Sequence, residues 1–136
     1  RARARLELAA LVGYDHTNLE AARQLAALAA DAGDEAALAL AAGRIAALDP
    51  FDSSAHSQLG RLALRRGDLA TAIREFRAAL ATSPPDPAAA HCDLGEALFD
   101  AGQVAEAKRE ALAALEIAPS FERAQDLLLR AVEVRR

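Results

Sequence analysis

Three glycines, Gly33, Gly67 and Gly102, recur at intervals of 34 and then 35 residues, and three prolines, Pro50, Pro84 and Pro119, keep the same two intervals. Two punctuating residue types moving in step define a tandem repeat. A period in this range marks stacked supersecondary units, none of which can bury its apolar face alone. Between the punctuation, apolar residues return at helical spacing throughout. The chain lacks Trp and Met and is 4% aromatic against 53% hydrophobic, so its core must be built from Ala, Leu, Ile and Val. Ala and Leu are the strongest helix formers, and small side chains let helices approach closely. The expected fold class is all-α.

Local signals place the helices. A first segment over about residues 2–14 sets Leu8, Leu11 and Val12 on one face and ends near Gly13. Thr17 stands three residues before Glu20, the spacing of a capping box, and predicts a helix from there to Ala32. Gly33 turns, Asp34 caps, and a second helix carries Leu38, Leu40, Ile45 and Leu48 to Pro50. The same pair follows again. Asp52 or Ser53 caps one helix, Gly67 and Asp68 turn and cap the next, and Ile73, Phe76 and Leu80 lead to Pro84. The stretch Ser83 to Pro87 is the one longer connection and accounts for the interval of 35, with Asp86 as cap and Pro87 at the first helical position. Leu94, Leu98 and Phe99, then Val104, Leu112, Leu115 and Ile117, form the third pair. Ser120 is expected to cap a last helix running to Arg136.

Composition also excludes. A net charge of −4 gives no general attraction to phosphate, so nucleic acid is not an expected partner. No apolar run approaches the roughly 20 residues of a membrane span. Residues Arg1 to Arg5 alternate Arg with Ala, unlike a signal peptide, and the absence of an initial Met suggests a fragment or a processed chain. A single cysteine, Cys92, leaves the redox compartment and localisation open. His56 and His91 hold equivalent places in successive units, with Cys92 and Asp93 beside the second, yet no spacing typical of zinc ligands occurs. Neither a metal nor a cofactor is expected. The acidic residues fall at helix starts and outer faces, and no nucleophile or phosphate-loop motif is present, so catalysis is not expected either.

The residues resemble the tetratricopeptide repeat family. His56, Leu59-Gly60 and Ala63, followed by Ala72, Phe76, Ala79 and Pro84, match its two-helix signature well. The next unit gives His91, Leu94-Gly95, Leu98, Ala107, Ala111, Ala114 and Pro119; the preceding one, looser, gives Ala22, Leu25-Ala26, Ala29, Leu38, Ala42, Ile45 and Pro50. Ala4, Leu8, Leu11 and His16 fall where the second helix of a still earlier repeat would put its Ala, aromatic, Ala and Pro. The resemblance implies a right-handed α-solenoid of antiparallel helix pairs forming one domain over residues 1–136. Three repeats, 19–52, 53–87 and 88–121, are flanked by a half-repeat helix (1–17) and a closing helix (122–136). His56, His91 or Ala22 stands where the family has a bulky ring, so each interface buries less apolar area and stability should be modest.

The resemblance also implies a concave surface lined by the first helix of each pair, where the family binds partners. Its positions here are Glu20, Arg23 and Ala27; Ser57, Arg61, Leu64 and the neighbouring Arg65; Cys92, Glu96 and Phe99; and Arg123, Asp126 and Arg130. Charge differs along this row: residues 53–87 hold five basic and three acidic side chains, residues 88–121 two and six. A bound peptide would thus meet Arg61 and Arg65 at one end and Glu96 and Asp100 at the other, which favours register and rate. The Lys and Asn residues with which some members clamp a chaperone tail are missing from these helices. Arg61, Arg65 and Arg66 also read as a solvated helix face, and Leu64 and Phe99 as packing. The expected function is a non-catalytic scaffold that holds a peptide or helical segment of a partner protein. The alternative is an accessory region of a longer polypeptide, an enzyme among the options, serving recruitment or assembly. Self-association through exposed terminal helices is a third.

Overall fold

The computed structural model describes residues 2–134, and all of the regular structure in them is helical. In chain order the helices are α1 (Ala2–Tyr14), α2 (Leu19–Ala32), α3 (Glu35–Leu48), α4 (Ser53–Arg65), α5 (Leu69–Ala81), α6 (Pro87–Asp100), α7 (Val104–Ile117) and α8 (Glu122–Val134). The expected extension of the last helix to Arg136 lies outside the described residues.

The turn inside each pair is built the same way three times. Gly33, Gly67 and Gly102 have φ of 70°, 77° and 83°, a left-handed conformation that penalises any Cβ. The amides of Asp34, Asp68 and Gln103 then reach back to the carbonyls of Ala29, Ala63 and Leu98, each at 2.9 Å, which closes the helix end. Nothing lies within 4 Å of where a Cβ would stand at these glycines, so backbone conformation alone selects them.

Helix starts rely on carboxylates. Asp34, Asp52, Asp68 and Asp86 accept from the amides of Ala37, Ala55, Thr71 and Ala89 at 3.0–3.2 Å, satisfying donors that the first turn leaves free. Two expected caps are corrected. The Thr17 hydroxyl donates to Asp15 at 2.9 Å instead, and α2 begins one residue later, so Asn18 takes the cap and accepts from the Ala21 amide at 2.9 Å. Ser120 does not abut α8, which starts at Glu122; the side-chain amide of Gln125 ties that turn by donating to the Pro119 carbonyl at 3.0 Å.

Short connections fold successive helices back on one another. The pairs α2/α3, α4/α5 and α6/α7 pack internally, and each second helix also packs on the first helix of the next unit, α3 on α4, α5 on α6 and α7 on α8. At the ends, α1 lies against α2 and α3, and α8 against α6 and α7. The core runs continuously as three clusters rich in Ala and Leu, with Phe76, Leu25, Leu62, Leu98 and Leu127 the largest side chains wholly inside. Small residues set the spacing. A Cβ on Gly60 would stand 2.6–2.9 Å from the Phe76 ring, so that glycine is what admits the aromatic.

Where the family signature has a ring, the histidines bridge the two helices of their own unit. His56 Nδ1 lies 2.8 Å from Glu75 Oε1, and His91 Nδ1 lies 2.7 Å from Glu110 Oε1. His56 Nε2 is also 2.8 Å from the Pro50 carbonyl. A carboxylate and a carbonyl can only accept, so both bonds coexist only when both ring nitrogens carry protons. Burial opposes the charge on His56, but the bonds to Glu75 and Pro50 outweigh it and raise the pKa above the usual 6.5.

Candidate functional site

The expected partner-binding residues divide according to what they touch. Asp93 organises the largest group. It stands in the middle of α6, its side chain only 9% exposed, and among the described residues it is the sole charged one in the buried set. Arg123 of α8 donates through Nη2 to Asp93 Oδ1 at 2.7 Å, and the same guanidinium grips Glu96 through Nη2 at 2.8 Å and Nε at 3.2 Å. From the other side Arg61 of α4 brings Nη2 to 3.5 Å from Asp93 Oδ2. Three successive first helices, α4, α6 and α8, are thus linked in one row of alternating charge. The hydrogen bonds to Glu96, foremost, and to Asp93 hold the Arg123 guanidinium even more firmly protonated than an ordinary arginine.

Next to this row the Arg130 guanidinium lies over the Phe99 ring, 5.0 Å from its centre, a cation–π contact. Arg123, Asp126 and Arg130 border a shallow open depression together with Glu96, Leu129 and Glu133. A second recess of about 150 Å³ lies between α4 and α6, where Ser57, Arg61 and Asp93 meet the Pro84–Pro85 connection. Leu64 and Phe99 are half-buried and pack against the core clusters, consistent with the packing reading of both.

Other expected members stand apart. Arg65 pairs with Glu35 of α3 at 2.8 Å, and Arg23 pairs with Asp49 and Asp52 at 3.1 and 3.4 Å, binding α2 to the loop before α4. Cys92 is fully buried beside Ala111 and Leu127 and offers no surface to a partner. Its position in α6 turns it towards α7 and α8 instead of outward. Burial, ahead of its charged neighbours, pushes the thiol up to about 11, where it is protonated and inert. The expected two-ended gradient is also moderated, because Glu96 is neutralised by Arg123 and Arg61 by Asp93 before any partner arrives.

Asp93 itself was absent from the expected surface, having been weighed only as a metal ligand beside Cys92. The signal was available: Ala89 and Ala90 one turn before and Ala97 one turn after set the Asp93 carboxylate on a mostly small and apolar helix face. An ion there requires a cation from a neighbouring helix. Among the described residues no cluster of His, Cys, Asp and Glu has the geometry to hold a metal ion, and no helix is long and apolar enough to cross a membrane.

These features define an all-α helical solenoid with a charged row across its first helices. The tetratricopeptide repeat family model matches residues 57–122, and the repeats in that span belong to the family. No curated protein sequence gives a significant match. Among solved structures, that of MamA is similar at a TM-score of 0.82 and 22% identity, over 94% of this chain and 74% of that one. The Yersinia enterocolitica type III secretion chaperone SycD, in complex with a peptide of the translocator YopD, is similar at 0.74 and 22% identity, over 87% of this chain and 95% of that one. A mutant of the Thermobaculum terrenum O-GlcNAc transferase reaches 32% identity and a TM-score of 0.72 over 84% of this chain, which spans 22% of the transferase.

Proposed function

We propose that this chain is a protein-interaction scaffold that takes an extended or helical peptide of a partner along α2, α4, α6 and α8, without catalysis of its own. The observation that carries the reading is the row Arg61–Asp93–Arg123–Glu96. It draws together charged groups from α4, α6 and α8, flanked by the Phe99 ring and two recesses. A row of paired charges selects by complementarity: a partner gains only where its own charges can join the pairing, and mismatches are penalised. The SycD structure, which holds a peptide of YopD on a similar fold, supports the reading by analogy.

The double charge reversal R61E/R65E tests it. Affinity capture with the unaltered chain and with the double variant should differ in the recovered partner, while the helical circular dichroism stays unchanged. Equal recovery by both would place the contact elsewhere. A second reading, an accessory region of a longer enzyme, is favoured by the 32% identity to the transferase. Its test is the coding sequence adjoining these residues: an in-frame catalytic domain supports it, and the lack of one removes it.

A further inference from the structure

The two ends of the described solenoid expose complementary halves of one repeat. α8 is a first helix and α1 a second helix, and at each the positions that an intra-repeat partner covers in the complete units lie open. Leu11 corresponds to Ile45, Ala79 and Ala114, all buried, yet is 39% exposed. Leu129 corresponds to Ala26, Gly60 and Gly95, and Val132 to Ala29, Ala63 and Leu98; these six are buried, whereas Leu129 and Val132 are 62% and 41% exposed. Solvent-facing positions on a helix favour polar side chains, and these three are aliphatic.

The polar residues match as well. Glu7 holds the position of Glu75 and Glu110, the two carboxylates that receive a histidine from the first helix of their own unit. Gln125 holds the position of His56 and His91, and its amide already copies one half of the His56 arrangement: Gln125 Nε2 donates to Pro119 as His56 Nε2 does to Pro50. The second N–H of that amide remains for a carboxylate at the place of Glu7. Net charge is opposite too, with two basic residues and one acidic in α1 against two basic and three acidic in α8.

From this register we infer that copies of this chain stack head to tail, α8 of one against α1 of the next, so that the junction reproduces an intra-repeat helix pair. The contact is heterologous: it uses two different faces and extends the solenoid without closing it. Leu129 stands where the complete units have only Ala or Gly, so the junction is wider than an internal pair, which suits an association that is reversible with concentration.

Sedimentation of the whole chain over a range of concentrations tests this. Apparent mass is expected above the 14.3 kDa of one copy and to rise with concentration. L11E and L129E, each at an exposed position and each checked for unchanged helical dichroism, should sediment as monomers. Mixed together they should form a 1:1 dimer and nothing larger, because each retains the face that the other has lost. A wild-type chain that stays monomeric at every concentration overturns the proposal. So does a single variant that still self-associates, which would point to an isologous α1–α1 or α8–α8 contact.

Discussion

The pairs α2/α3 and α4/α5 occupy equivalent places in the repeat and are joined by the same kind of turn, yet they solve the contact between their helices differently. In α2/α3 the positions equivalent to Gly60 and Phe76 are Ala26 and Ala42, and those equivalent to His56 and Glu75 are Ala22 and Ala41, all four buried and none polar. In α4/α5 the same places hold Gly60 against the Phe76 ring, and His56 against Glu75. Two small side chains share the contact in one pair, whereas in the other Gly60 offers no side chain and the Phe76 ring fills the place. The repeat therefore admits different divisions of side-chain volume at equivalent positions. The pair that concentrates its volume in one ring depends on a single residue; the pair of alanines does not.

The largest expected effect follows from that dependence. Phe76→Ala should lower unfolding free energy by about 3–5 kcal/mol, the usual cost of emptying a buried aromatic site. Gly60→Ala alone should also destabilise, since its Cβ would meet the ring at 2.6 Å. In the Phe76→Ala background the sign should invert, because the double variant restores the Ala–Ala contact of α2/α3 and recovers about 1 kcal/mol of helix propensity. Chemical denaturation of the four chains measures the cycle. Additive losses would show that the two positions do not share one volume.

A similar contrast separates the ion pairs of the two halves. Arg23 meets Asp49 and Asp52 in an exposed setting, whereas Asp93 is enclosed between Arg61 and Arg123. Asp93→Asn should cost about 1–3 kcal/mol, because it leaves Arg123 facing a neutral amide where a charge was hydrogen-bonded. Asp49→Asn should stay within about 0.5 kcal/mol, as exposed pairs do. Thermal unfolding compares them, and equal shifts would remove the distinction between the two halves. Smaller again is the turn glycine. Gly33→Ala, Gly67→Ala and Gly102→Ala should each cost about 1 kcal/mol and differ little from one another, since each carries the same positive φ and none meets a neighbour.

These contrasts also explain how far the sequence could be read. Gly33, Gly67 and Gly102, with the prolines in step, revealed the period, and the period gave the helix pairs, because both residue types act through the backbone at their own position. Four of the caps followed for the same local reason, and the Thr17 and Ser120 caps failed by one residue, where Asp15 and Gln125 supplied competing bonds. The surface was legible only as a phase. Which first-helix residues are free depends on partners 26 to 30 residues away, such as Arg23 with Asp49 and Asp93 with Arg123, and side-chain reach across helices is not encoded in spacing. Cys92 holds a groove position in the repeat register yet turns inward from α6, and Asp93 gains its role only from arginines on two other helices.

The finest test of the opening contrast uses pH, since α2/α3 carries alanines where α4/α5 carries a titrating bridge. The folded-state pKa of His56 is raised, so its contribution to stability is complete below the unfolded value near 6.5 and is lost as pH rises through the raised value. Losing the ring proton forfeits the bond to Glu75 or the bond to Pro50, and the effect should stay below about 1 kcal/mol because the site is partly hydrated. Gln at this position, as nature has it at Gln125, keeps a donor for the proline carbonyl and cannot titrate. The difference in melting temperature between wild type and H56Q should therefore be greatest near pH 5.5 and shrink steadily towards pH 8. A difference that is flat across this interval would mean that His56 holds the two helices by its shape, as Ala22 and Ala41 do, and that its charge plays no part.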